Sequence, residues 1–64
     1  MKTEYQHFKM RNIAYGTLLH IVVGPLPIPM KKMESLIKVE FRKEGKRYGR
    51  NWIIEKAWVS TDIK

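Results

Sequence analysis

Cysteine is absent from the 64 residues, so neither a disulfide framework nor a thiolate metal site can staple the chain. A cysteine-free chain suits a reducing compartment, and a cytoplasmic protein is expected. Acid is scarce: 6 Asp and Glu stand against 13 Lys and Arg, for a net charge of +7. Long apolar runs are missing as well. The longest, Leu18 to Met30, is broken by His20, Gly24 and three prolines, and falls short of the roughly 20 apolar residues a membrane helix needs. A signal peptide is not expected either, because no small-residue cleavage site follows Gly24.

Chemistry-bearing clusters are also few. His7 and His20 are the only imidazoles, with neither a His-x-x-x-His spacing nor a paired carboxylate, so no metal site is expected. Gly45 and Gly49 do not open a helix in the manner of a phosphate loop, and no cofactor is expected. A nuclease could combine His20 with Glu40 or Glu55, but no spacing converges on such a site. The expectation is a protein that is not an enzyme.

What is present is apolar content of 44%, including two Trp, three Tyr and two Phe, enough for a small core. The whole chain, residues 1–64, is read as a single small basic domain without repeats or linkers. At this length folding buries only about 60% of the unfolded surface, and a homodimer is one way to thicken a thin core.

Four segments organise the chain. Phe8 and Met10 alternate with His7, Lys9 and Arg11, the period of two of a half-buried strand; a helix with Tyr5, Phe8 and Asn12 on one face is the alternative. Thr17 to Val23 is aliphatic and β-branched on both faces apart from His20, which reads as a central strand. Pro25, Pro27 and Pro29 then make an extended connection, with room for one or two helical turns carrying Met30, Met33 and Ile37. Leu36 to Lys43 alternates again, with Ile37, Val39 and Phe41 opposite Lys38, Glu40 and Arg42, and Asn51 to Val59 is β-rich. The last two segments read as an antiparallel hairpin across the glycines at 45 and 49.

The fold class expected is therefore mainly β: a small barrel or strongly curved antiparallel sheet of the SH3-like or OB-like kind, with at most one short helix. A three-stranded sheet packed on an N-terminal helix is the runner-up.

Positive charge is concentrated in this last region. Residues 31–50 hold eight Lys or Arg and three Glu, which is +5 of the total +7. On a hairpin, Lys38 and Arg42 would line the wet face, with Lys43, Lys46, Arg47 and Arg50 at or beside the tip, within reach of phosphates. A charged edge that discourages aggregation is the plainer alternative. Tyr48 lies among these charges as a candidate stacking residue. Trp52, Lys56 and Trp58 share one side of the last strand under strict alternation, either as an exposed stacking or interface surface or with both Trp rings in the core.

The leading expectation is a nucleic-acid-binding domain contacting DNA or RNA phosphates through Lys38, Arg42, Lys43, Lys46, Arg47 and Arg50, with Tyr48 among them. The alternative is a small protein-binding factor, a subunit or inhibitor, that docks the same hairpin on an acidic surface of a larger partner.

Overall fold

The computed structural model describes residues 2–62. Its elements are β1 (Tyr5–Asn12), β2 (Leu18–Val23), α1 (Met30–Lys43) and β3 (Trp52–Ser60), and the strands form one antiparallel sheet in the order β2-β1-β3. The protein is mainly β, as its alternating segments imply. Among the described residues the sheet stays open, with β2 and β3 as its two edges, and no barrel closure is seen. No helix among these residues is long and apolar enough to cross a membrane.

β1 follows its alternation: Phe8, Met10 and Asn12 are buried toward α1, while Lys9 and Arg11 take the opposite face. It is nevertheless the central strand, and β2 is an edge rather than the centre that its apolar sequence implies. Alternation reports which faces are dry, not which edges are paired. β2 reads as apolar because α1 covers Ile21 and Val23, while Leu18 on its other face stays exposed. The β1–β2 turn is set by Asn12, whose Oδ1 accepts hydrogen bonds from the backbone N–H groups of Ala14 and Tyr15 at 2.9 and 3.1 Å. At the far end of β2, Gly24 is required by crowding, since a Cβ there would lie 2.5 Å from Tyr5 Cδ1.

The largest correction concerns residues 30–43, which are helical, so the basic hairpin formed by Leu36–Lys43 and the last strand does not exist. The buried residues Ile37 and Phe41 are four apart, with Met33 and Leu36 packed beside them, which is a helical stripe. Val39, the residue that completes the apparent two-residue period, is 44% exposed. Pro29 occupies the N-cap, and the helix is not the one or two turns expected but 14 residues long.

Its end is a Schellman motif. The N–H of Lys46 donates to the Phe41 carbonyl at 2.9 Å, and the N–H of Gly45 to that of Arg42 at 3.0 Å. Gly45 has φ +69°, the left-handed value this cap requires, so the glycine ends a helix instead of turning a hairpin.

The core joins Phe8 and Met10 of β1, Ile21 and Val23 of β2, Ile37 and Phe41 of α1 and Trp52 of β3. β3 is a strand as expected, but it does not alternate strictly. Lys9 pairs with Lys56 and Met10 with Ile54, leaving Glu55 as an extra residue in a β-bulge. The bulge reverses the facing of everything beyond it. Trp52 and Ile54 share the face of Met10, whereas Lys56 and Trp58 share the face of Lys9, so the two tryptophans lie on opposite sides of the sheet.

Candidate nucleic-acid interface

The carboxyl half of α1 and the loop from 44 to 51 enclose an open cleft of about 430 Å³, lined by Lys38, Arg42, Lys46, Arg47 and Tyr48. Four of its five lining residues are cations. Lys38 and Arg42 are four residues apart and so project from one side of the helix, next to the buried stripe of Ile37 and Phe41. The Schellman turn then carries the chain back so that Lys46 and Arg47 form the facing wall. A second cleft of about 360 Å³, lined by Arg47, Tyr48, Gly49, Arg50, Asn51, Trp52 and Asn12, shares Arg47 and Tyr48 with the first. The two clefts therefore adjoin and are treated together as one basic groove.

An aromatic floor holds the groove in place. The Phe41 ring lies 5.0 Å from Tyr48 at a tilt of 54° and 5.0 Å from Trp52 nearly edge-on at 79°. The loop is also tied through its backbone, because the Trp52 N–H donates to the Gly49 carbonyl and the Ile13 N–H to the Asn51 carbonyl. Among the described residues Arg42, Lys46, Arg47 and Arg50 form no ion pair, and Lys38 pairs only with Glu34 at 3.5 Å on the exposed helix surface. Unpaired guanidinium and ammonium groups converging on a concave surface can take up phosphate oxygens at little cost in broken contacts.

Five of the seven residues read from the sequence as nucleic-acid contacts, Lys38, Arg42, Lys46, Arg47 and Tyr48, line the first cleft, and Arg50 lines the second. Lys43 does not join them. It pairs with Glu40 at 3.3 Å and lines a different cleft with Val23, Gly24, Leu36 and Val39. Tyr48 is half-buried against Phe41, so its ring is mainly floor. Trp52 is core, and Lys56 and Trp58 lie on the opposite face of the sheet.

That opposite face carries an arrangement the sequence reading does not assemble. His7 is 1% exposed, with its Nδ1 2.9 Å from His20 Nε2 and its Nε2 2.8 Å from the Asp62 carbonyl oxygen. A carbonyl can only accept, so Nε2 of His7 carries the proton, and in the neutral ring Nδ1 accepts from the Nε2–H of His20. The indole of Trp58 is centred 5.2 Å from His7 and 5.4 Å from His20, at tilts of 16° and 17°. Both tilts are small, as in stacked rings. Lys56 Nζ sits 5.4 Å from the Trp58 ring centre, and Glu55 pairs with both Lys9 and Arg11. The signal for this cluster is in the β1–β2 register: Lys9 opposite His20 places residues 7, 9, 18, 20 and 22 on one face.

No protein-family model matches the chain, and neither a curated protein nor a solved structure matches it.

Proposed function

We propose that this chain is a non-enzymatic nucleic-acid-binding domain whose phosphate contacts are made by the helix-and-loop groove of Lys38, Arg42, Lys46, Arg47 and Arg50. The observation that supports this reading is the convergence of unpaired cations on one concave surface. On the sheet Lys9 and Arg11 are engaged by Glu55, whereas the cations of the groove meet no carboxylate among the described residues except at Lys38. A polyanion supplies the missing counter-charge.

Tyr48 contributes less than an exposed ring would, because Phe41 and the loop hold it half-buried. Binding is therefore directed at the sugar-phosphate backbone and is insensitive to base sequence. With four phosphates engaged by Arg42, Lys46, Arg47 and Arg50, log affinity for duplex falls against log salt with a slope of about −3.6. Fluorescence anisotropy with a random oligonucleotide at several salt concentrations reads that slope, and a flat response would remove the proposal. Capture of one acidic protein in place of nucleic acid would transfer the same groove to the alternative, a factor docking on an acidic partner surface.

A further inference from the structure

β3 is the least covered element of the molecule. α1 packs over the β2 side of the sheet, leaving Ile54, Ala57 and Val59 exposed on the face that should be dry, with Ile53 exposed on the other. Ile53, Ile54 and Val59 are 44%, 47% and 49% exposed. This nine-residue strand also has one edge that pairs with nothing among the described residues.

We infer that this edge is completed by the β3 strand of a second copy of the chain, giving a two-fold, six-stranded antiparallel sheet in which Glu55 of each copy lies opposite Lys56 of the other. The bulge selects the register. Residues facing one another across an antiparallel pair must lie on the same face of the sheet. Trp52, Ile54, Ala57 and Val59 share one face, and Ile53, Glu55, Lys56, Trp58 and Ser60 share the other, as their β1 partners and the Glu55 ion pairs fix. In the antiparallel register that sets Glu55 against Lys56, every pair matches: Ile54 meets Ala57, Ile53 meets Trp58 and Trp52 meets Val59. Shifting by one residue either way puts helix-face residues against open-face ones, and one of these shifts also sets Lys56 against Lys56.

Charge and apolar area therefore favour the same alignment. Lys56 makes no ion pair within its own chain among the described residues, and the second copy supplies one twice over by symmetry. The other free edge, β2, lacks this combination. Its helix-side residues Ile21 and Val23 are already buried under α1, so pairing there would cover little further apolar surface. The apolar pairs at β3 are the kind that stabilise a sheet across strands. Single charges and bulges also serve to keep edges apart, and that is the outcome opposed to this one.

The absence of cysteine makes the test clean. Ile54→Cys and Ala57→Cys chains are prepared separately and treated with a short bis-maleimide, which adds one thiol at each end, alone and mixed. The proposed register places residue 54 beside residue 57 of the other copy, so the mixture should cross-link several-fold more than either variant alone. Sedimentation equilibrium of the unmodified chain should show a dimer, and Lys56→Glu, which sets two carboxylates against each other at both symmetry-related places, should weaken it at least tenfold. Folding of Lys56→Glu is checked by circular dichroism, and the cross-linking pattern stands independently of that variant. A chain monomeric from micromolar to millimolar concentration, or cross-linking no greater in the mixture than in the single variants, would overturn the inference.

Discussion

Two cationic regions of this protein differ in what their charges already hold. On the open face of the sheet Lys9 and Arg11 close on Glu55, and Lys56 rests against the Trp58 ring. In the groove Arg42, Lys46, Arg47 and Arg50 converge without a carboxylate among the described residues, over a floor of Tyr48 and Phe41. The same residue types thus serve as internal ties in one place and as open valences in the other. Charge density alone does not separate the two regions; pairing and curvature do.

Breaking the floor of the groove should have the largest effect. Phe41 is 0% exposed and touches both Tyr48 and Trp52, so Phe41→Ala should cost about 3–5 kcal/mol of stability, read by urea denaturation. The open face should break less severely. His7→Ala removes the partner of His20 and of the Asp62 carbonyl and should cost about 1–3 kcal/mol while leaving the groove intact. Gly45→Ala forces a side chain into a left-handed conformation and should cost about 1–2 kcal/mol, loosening the turn that brings Lys46 and Arg47 to face the helix. The smallest change is expected from Lys9→Ala, about 0–1 kcal/mol, since its ion pair is largely solvated and Arg11 still holds Glu55. Thermal denaturation orders the last three.

Much of this architecture is legible in the sequence, and the failures have physical causes. β1, β2 and β3 announce themselves through alternation and β-branched composition. The helix is concealed because Ile37, Val39 and Phe41 satisfy a period of two, although Met33, Ile37 and Phe41 equally satisfy a period of four. Its start lacks a side-chain cap and an acidic first turn, so only Pro29, the basic last turn and Gly45 mark its bounds. Packing decided between the readings, since the apolar face of β1 and β2 needs a cover and α1 supplies Ile37 and Phe41 to it. The bulge at Glu55 is likewise silent in the sequence, and it is the reason Trp52 and Trp58 part company. Lys38 and Arg42 line one cleft despite the change of scaffold, because they share a side whether the chain is strand or helix.

The claim that groove cations, and not net charge, hold nucleic acid is tested by two charge-matched variants. Arg42→Ala with Arg47→Ala and Lys9→Ala with Arg11→Ala each lower the net charge from +7 to +5. Oligonucleotide binding is measured for both across the same salt series. The groove variant should lose affinity and about 1.8 of the salt slope, while the open-face variant keeps the slope of the unaltered chain. Equal losses in the two variants would contradict the account.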